Sequence, residues 1–131
     1  MSLDKKKHDF VTRQSRLQDN IVEAIQTHCD EVLSPLEEED ELNATSPSQQ
    51  PHECVQNLIT YLKTTFDTIS FLPRAIQEVC QFTTCRHVAQ FFQKILTEGE
   101  GPVSVIGVFN LNLDLLSLES FIEELDVADL V

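Results

Sequence analysis

Residues 57–96 read NLITYLKTTFDTISFLPRAIQEVCQFTTCRHVAQFFQKIL, two helix-length apolar patterns joined by a Leu-Pro corner. In the first, Leu58, Ile59, Leu62, Phe66 and Ile69 recur at steps of three and four. In the second, Ile76, Val79, Thr83, His87, Val88, Phe91 and Ile95 do the same. Such spacing places large side chains on one face of each helix, to be buried against other helices. Neither pattern carries a residue set suited to chemistry. The segment is a packing unit and points to binding rather than catalysis.

Pro73 fixes its own φ and lacks an N–H, so it suits the first turn of a helix and not the interior. It also biases Leu72 away from the α region, which ends the preceding helix near residues 70–72. A hairpin and a sharp bend both satisfy these constraints. Upstream, Phe10, Leu17, Ile21, Ala24, Ile25, His28 and Val32 trace a helical stripe over about residues 6–33, stopped by Pro35. Residues 34–51 combine an acidic run with Ser, Pro, Gln and Asn, and read as a mobile acidic linker. The acidic run, residues 37–41, is read as a solvated loop in preference to a docking site for a basic partner. Downstream of the TEGEGP loop, Val105, Ile106, Phe109, Leu113, Leu116 and Ser120 predict a fourth helix. A β alternative exists for residues 103–108, where β-branched residues dominate, but the Leu-rich spacing continues for four turns. Residues 121–131 form an acidic tail of weak helical character.

With 131 residues the chain is one domain or a piece of one. Three glycines and few turn signals argue against a β-sandwich. No run approaches ~20 uninterrupted apolar residues, so no membrane span is expected. The first residues lack the apolar stretch of a signal peptide, which makes a cytoplasmic location the expectation. The formal net charge of −13 disfavours nucleic acid and bulk anionic lipid. Charge is unevenly spread: Lys5, Lys6, Lys7, Arg13 and Arg16 make the start basic, while no Lys or Arg follows Lys94. Lys5, Lys6 and Lys7 read first as a solvated helix start and only second as lipid-directed.

Four cysteines (Cys29, Cys54, Cys80, Cys85) and four histidines (His8, His28, His52, His87) raise a metal hypothesis. The spacing does not support it. There is no CxxC, and Cys80 and Cys85, five apart on one helix, point about 140° from one another. Reduced thiols in an intracellular core are the better reading, and no metal or other cofactor is expected. No third group orients a Cys–His pair, and the GEGP loop lacks the Lys-Ser/Thr of a P-loop. The single Tyr and absent Trp offer no platform for nucleic-acid bases. The chain is therefore expected not to be an enzyme.

Asn57-Leu-Ile-Thr-Tyr-Leu-Lys-Thr-Thr-Phe66 followed by Phe71-Leu-Pro73 resembles the C-terminal region of the Rab-binding subunit of the exocyst tethering complex, the Sec-fifteen family. Cys85-Arg-His87-Val88 is similar to that family's Cys-x-His-aliphatic helix end. Val103-Ser104 leading to Asn112-Leu113-Asp114-Leu115 resembles its aliphatic-Ser…Asn-Leu-Asp-aliphatic helix. The likeness is tight over residues 57–88 and 103–116 and looser over 8–33. Family members continue with further helices beyond the Asn-Leu-Asp element. A fragment, splice form or short relative is therefore the expectation, with apolar surface left open and a tendency to self-associate.

The resemblance implies part of an all-α helical rod that tethers secretory vesicles. It implies a GTP-bound Rab GTPase and other exocyst subunits as partners, and membranes reached only through them. Phe71, Arg74, Phe82 and Phe92 lie off the main stripes and are the candidate protein contacts; for Phe82 and Phe92, burial against a neighbouring helix is the competing and weightier expectation. The fold expected is an all-α antiparallel bundle of about four helices, divided as an N-terminal helix (1–33), an acidic linker (34–51) and a helical bundle (52–131). Its expected core is Leu58, Leu62, Phe66, Ile69, Ile76, Val88, Phe91, Ile95, Phe109, Leu113 and Leu116. The alternatives are a Cys/His metal-binding or redox-sensing helical protein, and a free-standing helical adaptor whose acidic tail docks a basic protein.

Overall fold

The computed structural model describes residues 3–38, 44–98 and 104–130. Within them lie four helices and no strand: α1 (Leu3–Leu33), α2 (Glu53–Thr68), α3 (Arg74–Glu98) and α4 (Val105–Leu130). Short 3-10 turns follow α1 (Ser34–Glu37) and α2 (Ile69–Phe71). This is the all-α bundle expected.

Proline and polar side chains set the ends of these elements. Pro35 opens the first 3-10 turn, and the Glu38 N–H closes it on the Pro35 carbonyl at 3.2 Å. At the Leu-Pro corner α2 tightens into its 3-10 turn, and Leu72 takes the extended backbone that a following proline imposes. The Pro73 carbonyl accepts the N–H groups of Ile76 and Gln77, so proline starts α3. Gln77 closes the corner by donating Nε2 to the carbonyls of Ser70 (2.9 Å) and Leu72 (2.6 Å). Beyond it, Cys85 and Val88 of α3 share the wall of a groove with Leu62 of α2. His87 bonded to Asp30, with Phe91 and Lys94 lining one hollow with Glu37, runs α3 parallel to α1 and so back along α2, which makes the corner a hairpin. Ser104 caps α4: its Oγ accepts the Gly107 N–H at 2.9 Å and its carbonyl accepts the Val108 N–H. The β alternative is thus excluded from residue 104 onward; Val103 lies outside the described residues.

One core joins all four helices. Ile25, Cys29 and Leu33 of α1 meet Leu36, the Val55, Leu58, Leu62, Phe66 line of α2, and Cys80, Val88, Phe92 and Ile95 of α3. Leu111, Leu118 and Phe121 supply the share of α4, with the Phe121 ring stacked on Phe66 at 6.3 Å. His28 lies against Tyr61 (4.0 Å between rings) and Val32 shares a hollow with Cys54 and Asn57, so α1 and α2 run antiparallel.

Six expected core residues are buried, Leu58, Leu62, Phe66, Ile69, Val88 and Ile95; Ile76 and Phe91 pack against them from the edge, and the α4 residues need correction. Ile76, Phe91 and Leu113 are half-buried, while Phe109 and Leu116 stand 47% and 52% exposed. The buried line of α4 runs through Gly107, Asn110, Leu111, Asp114, Leu118 and Phe121 instead. In α1, apolar packing on the core begins at Ile21; Thr12 and Gln18 are half-buried, Phe10 and Leu17 are exposed, and residues 3–20 project as an arm.

Candidate protein-contact surface

The corner of the α2–α3 hairpin carries the most exposed aromatic rings. Phe71 ends the 3-10 turn 80% exposed, and Phe82, more than two turns into α3, is 69% exposed. Arg74, Glu78 and Phe82 follow at four-residue steps on one face, with Val79 beside them, also exposed. The Arg74 Nε donates to Glu78 Oε1 at 3.2 Å, an exposed pair on the same face as Phe82. The same line continues one turn on to the exposed Arg86.

Phe92 does not belong to it. The structure buries Phe92 to 2% and sets it edge-on to Phe91 at 5.9 Å between centroids. The reason is the phase of α3, whose buried line is Cys80, Thr84, Val88, Phe92 and Ile95. Of the four expected contacts, three stand on the surface and one is core.

A second constellation escaped the sequence reading. Asp114 is fully buried; its Oδ1 accepts the His52 backbone N–H at 2.7 Å and its Oδ2 pairs with His52 Nδ1 at 2.6 Å. One turn earlier, Asn110 Oδ1 accepts the Ser48 N–H at 2.7 Å and Nδ2 donates to the Ser46 carbonyl. Ser104 Oγ donates to the Ala44 carbonyl at 3.0 Å. Residues 44–52 therefore lie strapped along α4, so the linker expected over 34–51 is held at both ends. Residues 39–43, with most of the acidic run, lie outside the described residues. The signal available was the four-residue spacing of Asn110 and Asp114 within an otherwise apolar helix. Polar side chains there have to be satisfied once buried.

The cysteines are set for packing. Burial, then the Asp30 charge and Cys85, push the Cys29 thiol up to about 12. Burial raises Cys80 as well. Thiols held protonated are poor nucleophiles and poor metal ligands. No disulfide joins any of the four, and among the described residues no three His, Cys, Asp or Glu side chains gather to hold a metal. His87 instead bonds Asp30 Oδ1 through Nε2 at 2.7 Å, bridging α3 to α1.

Helical pairing, the Leu-Pro corner and the Ser104-to-Asp114 element all lie in one matched stretch. The chain matches the family described as "Exocyst complex subunit Sec15 C-terminal" over residues 2–130. It belongs to that family. A curated relative, "Exocyst complex component 6" of Caenorhabditis elegans, is 27% identical over 115 residues. That alignment covers 87% of this chain and 14% of the relative's length. No solved structure matches.

Composition also marks α4. Over Val105–Leu125 it is long and apolar enough, by length and composition, to cross a bilayer, although no such span was expected. A third of that window is buried in the bundle, with Asn110 and Asp114 bonded to the strap. Those contacts make it a bundle helix with a second, open apolar face.

Proposed function

We propose that this chain is a non-enzymatic module of the exocyst, tethering secretory vesicles in exocytosis by binding a GTP-loaded Rab GTPase and other exocyst subunits. It works in the cytoplasm beside vesicles and plasma membrane, and reaches membranes only through its partners. The observation that carries the Rab surface is the exposure of Phe71 at a corner stiffened by Pro73 and Gln77, and of Arg74 and Phe82 on the helix that leaves it. Aromatic rings with an adjacent arginine are the residue types that concentrate binding energy at protein interfaces. A rigid hairpin presents them with little ordering cost.

The test is a pull-down of the 131-residue chain against a panel of Rab GTPases loaded with GTP analogue or GDP. GTP-selective capture of one or two Rabs is expected. Phe71→Ala with Phe82→Ala weakens that capture at least about tenfold, as loss of a hot-spot pair does. Capture indifferent to the nucleotide, or to both substitutions, overturns the assignment. Cys29 and Cys80, buried and with their thiols pushed above the ordinary range, weigh against the metal and redox alternative.

A further inference from the structure

Apart from the corner, two apolar helix faces lie open among the described residues, and they differ in charge. One is the α1 arm, where Leu3, Phe10 and Leu17 recur every seven residues with Val11 alongside, all exposed. Seven-residue spacing is the seam of a helix that packs lengthwise on another. Lys5, Lys6, Lys7, Arg13 and Arg16 surround the seam, against Asp4, Asp9 and Asp19. The other face belongs to α4: Val105, Val108, Phe109, Leu115, Leu116 and Ile122 are exposed at helical spacing. Along its second half this face opens into a groove of about 370 Å³, floored by Leu62, Val88, Leu118 and Phe121. Leu115, Ile122 and the carboxylates of Glu119 and Glu123 form its edge. From residue 105 onward α4 has no Lys or Arg.

We infer that the chain pairs with a second copy of itself, the basic α1 arm of one copy seating in the acidic-edged α4 groove of the other. The Phe10 ring fills the groove. Lys6, Lys7 and Arg13, within one turn of Phe10, face Glu119 and Glu123. An arm cannot fill its own copy's groove, because α1 is one continuous helix whose last third is fixed in the core against α2 and α3. Its first 18 or so residues extend ~27 Å beyond that anchor. Reciprocal exchange closes the pair with two-fold symmetry and leaves no open end. The inference does not rest on the Rab reading, whose residues Phe71 and Phe82 belong to neither face.

The experiment is size-exclusion chromatography with light scattering on the full chain, at low and at physiological salt. The mass expected is twice 14.9 kDa, dissociating as salt rises because the rim charges are screened. Phe10→Glu and Leu115→Glu, both at exposed positions, each raise the dissociation constant at least about tenfold while helical circular dichroism is unchanged. Mixed together, the two variants regain a heterodimer, since one intact arm and one intact groove remain between them. A wild-type monomer throughout, a dimer that survives both substitutions, or no rescue on mixing overturns the pairing. So does capture by phosphatidylcholine vesicles that Leu115→Glu abolishes and Phe10→Glu leaves unchanged, which would make the α4 face a lipid surface.

Discussion

Asp114 is the residue on which most polar structure converges, since a single buried carboxylate holds both the N–H and the ring of His52. Asp114→Ala leaves that N–H without its acceptor and releases the start of α2 from α4. A loss of ~3 kcal/mol in urea unfolding is expected, with the strap at 44–52 exchanging its amides faster. Thr84 is the opposite case. It is fully buried, and its Oγ1 has no hydrogen-bond partner in the structure. Thr84→Val replaces the hydroxyl by a methyl of the same shape and stabilises by about 1 kcal/mol, read as a raised unfolding midpoint. Cys29 supplies a pH limb. Its folded thiol titrates at about 12 against 9.0 for an unperturbed one, so above pH 9 the unfolded chain releases a proton that the fold retains. That contribution is complete below about pH 9 and is lost as pH climbs towards about 12. In urea melts at about pH 8 and about pH 10.5, Cys29→Ala should therefore lose less stability than wild type between the two.

At the scale of the helix the decisive variable is rotational phase. Phe82 and Phe92 both sit on α3, yet one ring is on the surface and the other in the core. Phe92→Ala should cost ~3–5 kcal/mol through transfer loss and cavity formation. Phe82→Ala should stay within about 0.5 kcal/mol, and unfolding curves of the two variants separate the cases directly. The helices themselves, the proline corner and the buried line of α2 were legible because large aliphatic residues mark that line without interruption. On α3 and α4 the reading fell about one residue out of phase, for a shared physical reason. Their closest-packed positions are small or polar: Cys80 and Thr84 on one, Gly107, Asn110 and Asp114 on the other. Counting only large apolar residues therefore shifts the stripe onto its neighbours, Ile76, Phe91, Phe109 and Leu116. The strap was illegible for a related reason, because its stability comes from side chains 60 to 64 residues away in sequence rather than from its own composition.

For the molecule as a whole, the distance between its core and its first residues decides what the termini can do. Among the described residues, no apolar side chain before Ile21 belongs to the core or packs against it. Removing residues 1–20 should therefore leave the urea midpoint of the bundle almost unchanged, within about 0.5 kcal/mol. The same deletion removes the basic seam, and with it the counterpart of a face carrying only negative charge on a chain of net −13. An isolated arm of this length, rich in charge and poor in alanine, is marginal as a helix in water. Its amides should exchange fast in dilute solution, where copies are apart. If the arm seats on the α4 groove of a second copy, protection over residues 3–20 rises with protein concentration, while protection around Ile25, Cys29 and Leu33 does not change. Hydrogen exchange at two concentrations distinguishes this from an arm that is simply helical by itself, whose protection would be the same in both. Phe71→Ala with Phe82→Ala should leave this concentration dependence intact while weakening Rab capture, because corner, arm and groove are separate surfaces of one bundle.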